Sequence, residues 1–257
     1  MNDMSLALDQ VRYTNKAFWR NPASAFFTIA FPLLFLVLFT TIFGGGSARI
    51  EGQEISTATF TIPSISVFSV ITATYTNIAI SVAFARDGGV LKRLRGTPMP
   101  PWTYMFGRIV HATLIAILLV AVTVAFGGVF YGIPVPTDNM PAFLVTLALG
   151  AACFCALGLA VTTIIPNADA SPAIVNATIL PLLFISNVFI PLDNPPEWLD
   201  GLSKIFPVRH FADAALASFL ALPHQAVWRA GDLAVMAAWA LAGLLIAVRF
   251  FAWEPRR

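Results

Sequence analysis

The side chains able to do chemistry in this sequence are few and dispersed. His111, His210 and His224 stand far apart, while Asp193, Glu197, Asp200 and Asp213 share one stretch with His210. A metal or acid-base centre needs ligands at tight spacing; these residues lack it, and solvated helix ends account for them. Cys153 and Cys155 lie two apart in an apolar run. On a helix they point to different faces, cannot easily bridge or share a metal, and read as small packing residues. The phosphate-cradling pattern GxxxxGK[ST] is absent. Within the apolar runs the deep polar groups are hydroxyls with Asn77, Asn176 and Asn187. That argues against an ion-coupled secondary transporter, which needs ionisable groups near the membrane midplane. A membrane-embedded enzyme would need His, Asp or Glu gathered at one membrane face. What does cluster is positive charge: ARDGGVLKRLRGTPMPP carries Arg86, Lys92, Arg93 and Arg95 and ends on Pro98, Pro100 and Pro101.

The elements that must position this cluster follow from composition. Of 257 residues, 58% are hydrophobic and 11% charged, and the mean hydropathy is +0.80. Soluble domains are roughly 45–50% apolar and about 25% charged, so a water-soluble fold could not hide this much apolar surface. The chain reads as an all-α polytopic membrane bundle, residues 1–257 forming a single transmembrane domain with no room for a soluble one. A net charge of +2 is too small to point to nucleic acid.

About six spans of roughly 20 apolar residues fit: 23–43, 60–85, 102–126, 142–165, 173–190 and 227–250. The first is longer than a signal-peptide core of roughly 7–15 residues and reads as a retained anchor. Before it, residues 1–21 set Arg12, Lys16 and Arg20 four apart beside Leu8, Val11, Phe18 and Trp19. That is an amphipathic helix suited to the headgroup region. The second span places Ser69, Thr72 and Thr76 on one α-helical face, with Asn77 beside them. Hydroxyls bonded to their own backbone in helix packing are the main reading, and a path lining is the lesser one. In the third, Arg108 and His111 lie within snorkelling reach of one interface, and Gly127-Gly128 reads as a break. The fourth aligns Ala148, Ala152, Ala156 and Ala160, which permits close helix approach.

Between the last two spans, 191–223 is too short to cross twice and too apolar for water. Asn194 reads as an N-cap with Pro195 at the first helical position and Glu197 as an acceptor. Trp198, Leu199, Leu202, Ile205 and Phe206 share a face until Pro207. Phe211, Leu216, Phe219 and Leu220 start another, and the pair is expected to dip partly into the outer leaflet. With the amino terminus inside, the cations of 1–21, the 86–95 cluster, Arg108, Arg249, Arg256 and Arg257 fall on the cytoplasmic side, leaving Arg49, Lys204, Arg209 and Arg229 outside. Both termini are then cytoplasmic.

This order of parts resembles the membrane-spanning permease subunits of ABC-2 type, or type 2, ATP-binding-cassette exporters, including those for drugs and lipids. The resemblance covers nearly the whole chain and rests on the leader ending in Arg20-Asn21-Pro22, the FGGG at 43–46, the loop RDGGVLKRLRGTPMP at 86–100 and the segment PLDNPPEWLDGLSKIFPVRHFADAAL. A short helix at 89–95, between a Gly pair and a Pro-rich stop, would project as a compact lever. The resemblance implies that loop 86–101 is a coupling loop seated in a groove of an ATPase, with Arg86, Asp87, Gly88, Gly89, Leu91, Lys92, Arg93, Leu94 and Arg95 as coupling residues. It implies that Arg12, Lys16 and Arg20 touch the ATPase as well, and that 191–223 is re-entrant and caps the path. Family members often carry Glu beside Arg at the head of this loop; here Asp87 and Gly88 follow Arg86, a shorter acid that displaces or weakens the contact.

The chain is expected to be non-catalytic and to bind no cofactor or metal itself. ATP and Mg are implied on two cytosolic ABC ATPase subunits, with a second permease copy or a sister permease completing the path. The expected location is a cell membrane, the inner or plasma membrane of a bacterium, with multiple passes. The expected cargo is lipophilic or amphipathic (a drug, antibiotic or lipid), moved past a lining that includes Ser69, Thr72, Thr76 and Asn77.

Overall fold

The computed structural model describes residues 3–43, 46–50, 53–191, 195–221 and 226–254. Among these, eleven α-helices and one hairpin appear in the order α1 (Asp3–Trp19), α2 (Pro22–Phe43), β1 (Ser47–Ile50), β2 (Gln53–Ser56), α3 (Thr57–Ile71), a π-helical turn (Thr72–Thr76), α4 (Asn77–Asp87), α5 (Val90–Arg95), α6 (Pro101–Tyr131), α7 (Met140–Val161), α8 (Ser171–Phe184), α9 (Glu197–Ser203), α10 (Pro207–Leu220) and α11 (Ala230–Phe250). Gly44, Gly45, Asp193, Asn194, His224, Arg256 and Arg257, on which parts of the sequence reading fall, lie outside the described residues.

The axis of the bundle is the rod Thr57–Asp87, two-thirds of whose most apolar window is buried, against 22% for α2 and 17% for α11. Ser56 starts the rod by accepting the Thr59 amide at 3.2 Å, which satisfies one of the orphan N–H groups of a helix start. Every residue from Phe60 to Ile71 is buried, and α2, α6, α7 and α10 pack around it. On the α2 side a ring cluster closes the core: Phe35 lies 5.5 Å from Phe68 and 5.7 Å from Phe189. Such aromatic pairs add packing beyond their area. The faces of α2 and α11 turned away from the bundle carry exposed Phe26, Phe27, Phe31, Leu241, Leu245 and Val248, as lipid contact requires.

Several sequence expectations change. Five helices among the described residues are long and apolar enough to cross a membrane, rather than six. The expected fifth span is α8, of 14 residues; at 1.5 Å per residue it covers ~21 Å, short of the ~30 Å hydrocarbon core. It ends at Ile185, after Pro181 inside the helix, and Asn187 then takes a positive φ of 56°. The polar loop after α2 contains an antiparallel hairpin pairing Ser47 with Ser56 and Ile50 with Gln53.

Gly127-Gly128 does not break α6, which runs on to Tyr131 and ends at left-handed Gly132. The glycine serves close approach instead, since a Cβ at 127 would stand 2.0 Å from Ile62 Cδ1 of α3. Pro196 is the cap of α9, which starts at Glu197 rather than at Pro195. Finally, α10 sits inside the bundle. Phe211, Ala212 and Ala215 are fully buried, and the helix packs on α3, α7, α8 and α11.

Candidate functional site

At the basic end of the bundle, α4 hands over to α5 through a two-residue turn. Gly88 receives the α4 terminus, and Gly89 sits at φ 70° as the N-cap of α5. That left-handed conformation costs a residue with a Cβ roughly 1–2 kcal/mol, so the Gly pair fixes the angle at which α5 leaves the rod. Within α5, Leu91 is fully buried and Leu94 half-buried. Leu91 enters a cluster with Ile78, Val82, Ala85, Tyr104 and Leu159, against which Met99, Phe251 and Trp253 pack. Lys92, Arg93 and Arg95 point outward and are exposed. The result is a short helix with an apolar foot and a cationic outer face, bounded by Thr97 to Pro100 and a cleft of about 300 Å³ that Trp253 also lines.

Arg86 does not belong to that outer face. It is 1% exposed, and its guanidinium donates to the carbonyls of Thr162 at 3.0 Å and Ile165 at 2.7 Å. Nε reaches Asp87 Oδ1 at 3.4 Å. The other carboxylate oxygen, Asp87 Oδ2, accepts the Ala168 amide. A buried guanidinium is tolerated because its donors meet acceptors. Together, Arg86 and Asp87 clamp the loop after α7 to the end of α4. The sequence reading grouped both with the exposed cations of α5; the structure instead buries Arg86 and turns both side chains toward the loop after α7.

The leader helix is present. Arg12 and Lys16 are exposed along α1 and Arg20 just past its end, while Ala7 and Phe18 are buried where α1 packs on α6. Phe18 meets the His111 ring edge-on at 5.4 Å. His111 is therefore a buried packing residue, not a snorkelling one; Arg108, by contrast, donates to Tyr104 Oη at 3.1 Å from a half-exposed position.

At mid-rod the expected polar face divides. Ser69 is fully buried and donates to the Ile65 carbonyl at 2.7 Å, as Ser66 does to Ile62 at 2.9 Å. Thr72, Thr76 and Asn77 are half-buried. The four were placed together by α-helical spacing, but Thr72–Thr76 is a π-turn, whose i→i+5 bonds fit an extra residue into the turn. Tyr75 Oη, on that turn, pairs with Thr178 Oγ1 of α8 at 2.7 Å. Its backbone rests on α7 at Gly158, where a Cβ would come 2.9 Å from the Tyr75 carbonyl oxygen. No period of 3.6 announces such a turn.

The far end holds a network that solvated helix ends do not describe. Asp213 binds Arg209 Nε at 2.7 Å and Asn187 Nδ2 at 3.0 Å. Asp232, in the first turn of α11, binds His210 Nδ1 at 2.6 Å and Arg229 Nε at 3.0 Å. His210 Nε2 reaches the Lys204 carbonyl at 2.8 Å. These bonds tie α9, α10 and α11 together, and the acids are consumed in them rather than arranged for catalysis. Cys153 and Cys155 are free and buried. In the Ala row of α7, Ala156 and Ala160 are buried, Ala156 against Gly243 of α11, while Ala148 and Ala152 are exposed.

A bundle with a clamped, cationic lever at its basic end and no phosphate-binding loop in its sequence agrees with comparisons to known proteins. The family model described as ABC-2 type transporter matches residues 11–220. The chain is 26% identical over 161 residues to the probable multidrug ABC transporter permease YbhR of Escherichia coli (strain K12), covering 63% of this chain and 44% of that protein, and so spans less than half its length. It is 26% identical over 211 residues to the daunorubicin resistance ABC transporter permease protein DrrB1 of Streptomyces coeruleorubidus, covering 77% of this chain and 69% of that one. With the inner membrane transport permease YadH of Escherichia coli (strain K12) it shares 25% over 201 residues, 76% of each chain. The matched interval takes in α1 from Val11, the whole rod, the lever α5 and the far-end helices through α10, and the chain belongs to the ABC-2 type transporter family.

Proposed function

We propose that this chain is the membrane-spanning permease subunit of an ATP-driven exporter, moved by ATPase subunits on separate chains through α5. The observation that carries the reading is α5 itself. A lever transmits force when its root is rigid and its free face can be gripped. Here Leu91, the left-handed Gly89 and the Arg86–Asp87 clamp make the root, and exposed Lys92, Arg93 and Arg95 make the face. ATP-driven closure can shift the bundle only through contacts whose free energy differs between its two states. The exposed cations of α1 supply a second contact line to the same partner.

In this reading two cytosolic ABC ATPase subunits carry ATP and Mg. A second copy of the chain or a sister permease completes the path, and the assembly sits in a bacterial inner membrane; both termini lie in the cytoplasm because the short α8, which starts beyond the Arg86 clamp and leads to Asn187 in the far-end network, still carries the chain across as a sixth passage. The names of the relatives, which include multidrug and daunorubicin resistance permeases, support lipophilic or amphipathic cargo such as a drug, antibiotic or lipid. The half-buried Thr72, Thr76 and Asn77 are the path-lining candidates; Ser69, buried and bonded to its own helix, supports the rod instead.

The test is the double charge reversal R93E/R95E in the full complex. Co-purification with the ATPase or substrate-stimulated hydrolysis is expected to weaken about tenfold, within the usual range of coupling between sites, while the chain stays folded because both side chains are exposed. Unchanged association and unchanged export would defeat the assignment of α5.

A further inference from the structure

A groove of about 580 Å³ opens between α6 and α7, with Val70 of α3 at its floor and Val135 and Pro136 at its mouth. It plays no part in the proposed coupling. Ile117 and Leu144, exposed by 60% and 55%, form its lips on opposite helices, and Ala121 and Ala148 between them leave the space open. Among the described residues its one polar wall group, the Thr113 hydroxyl, already donates to the Ile109 carbonyl at 2.9 Å. Water needs roughly 2–4 polar partners to settle in a cavity, so this groove takes an apolar occupant.

The depth identifies which one. Along α6 the lining runs from Thr113 to Ala125, ~18 Å at 1.5 Å per residue; one leaflet is half of the ~30 Å hydrocarbon core, ~15 Å. The mouth lies at the end opposite α5, and the bottom near the middle of the span. Beside the mouth stands exposed Asp138, flanked by lining residues Pro136 and Met140. In the sequence it is the sole Asp, Glu, Lys or Arg between Arg108 and Asp169. A carboxylate there attracts an ammonium and repels a phosphate that carries no compensating amine.

We infer that this groove is a specific site for one acyl chain of an amine-bearing zwitterionic phospholipid of the leaflet opposite α5, with its headgroup ammonium at Asp138. The inference rests on the membrane reading of the bundle and is independent of the exporter assignment.

The full chain, reconstituted in nanodiscs of phosphatidylethanolamine and phosphatidylglycerol and released into mild detergent, is to be weighed by native mass spectrometry. Retained phosphatidylethanolamine is expected above its share of the bilayer by about threefold, the reach of one exposed ion pair. A148F, which fills the slot, is expected to lose the retained lipid; D138N is expected to keep a lipid but lose the headgroup preference. Retention by A148F equal to that of the unaltered chain, or enrichment of phosphatidylglycerol, overturns the inference.

Should A148F fail to fold, A148C carrying a bimane label keeps the slot open. Phosphatidylethanolamine with brominated chains is expected to quench it more strongly than brominated phosphatidylglycerol, and equal quenching overturns the inference. Disulfide formation between two copies of unlabelled A148C in the bilayer also overturns it, in favour of a second copy of this chain as the occupant.

Discussion

Replacing Arg86 by Met tests whether the root of α5 is held by the clamp described above. Met keeps much of the volume and removes every donor. The carbonyls of Thr162 and Ile165, now served at 3.0 and 2.7 Å, lose their partner. A buried acceptor left unsatisfied costs about 1–3 kcal/mol. Thr162 and Ile165 are themselves 2% and 0% exposed, but removing Arg86 also removes the cost of holding a guanidinium out of water, so each carbonyl is placed near the lower half of that range. The expected total is about 3 kcal/mol, at the lower edge of the ~3–5 kcal/mol seen when one member of a buried charged network is removed.

R86K keeps the charge but has no fork to span two carbonyls; it should lose about half as much, since one of two comparable hydrogen bonds survives. Denaturant unfolding in mixed micelles reads the free energy. Hydrogen exchange of the Ala168 amide, which donates to Asp87, reads the loop itself and should accelerate in both variants. An R86M loss below about 1 kcal/mol, smaller than a single unsatisfied buried acceptor, with unchanged exchange at Ala168, would refute the clamp.

Two further substitutions probe the middle and the far end. G158A pushes a methyl to within 2.9 Å of the Tyr75 carbonyl oxygen and should cost about 1–3 kcal/mol as an overpacked contact, measured by the same unfolding assay; a neutral result would mean that α7 does not bear on the π-turn. D232N removes the charge shared by His210 and Arg229 and should cost about 1.5–3 kcal/mol, the usual worth of hydrogen bonds to a charged group. Unchanged stability, with unchanged protection of the α10 amides, would separate this network from the seating of α10.

The sequence carried the large-scale fold through span length and composition, because both are sums over many residues that no single contact reverses. The lever was legible for a local reason: a Gly pair, a six-residue amphipathic run and a Pro-rich stop each determine backbone conformation without help from distant residues. What stayed hidden depends on partners far along the chain. Arg86 looks like its neighbours Arg93 and Arg95 until the loop 162–168 arrives to bury it. His210 and Asp213 read as solvated because Asp232 and Asn187, which bind them, lie 22 and 26 residues away. The π-turn was unreadable for the opposite reason, since pattern reading assumes one fixed period. Pro207 was legible as a stop, but nothing in its surroundings told that the helix it begins enters the core.

The contrast between α2 and the rod bears on how the chain is made. The Pro22–Ile42 stretch has a mean hydropathy of 2.3 and uses little of its surface in the bundle, whereas Thr57–Asp87 has 1.6 and is mostly enclosed. During synthesis α2 can rest in lipid alone, since its outward side chains already match that solvent. The rod reaches the bilayer before α6, α7 and α10 exist to cover it, with Ser64, Ser66, Ser69 and Thr74 facing hydrocarbon. Three of those hydroxyls meet the wait by donating to carbonyls one turn back, Ser66, Ser69 and Thr74 at 2.9, 2.7 and 2.6 Å. A bond made within the nascent helix needs no later partner, so these back-bonds serve biogenesis as much as the finished structure, letting the least lipid-soluble span survive until its neighbours are translated.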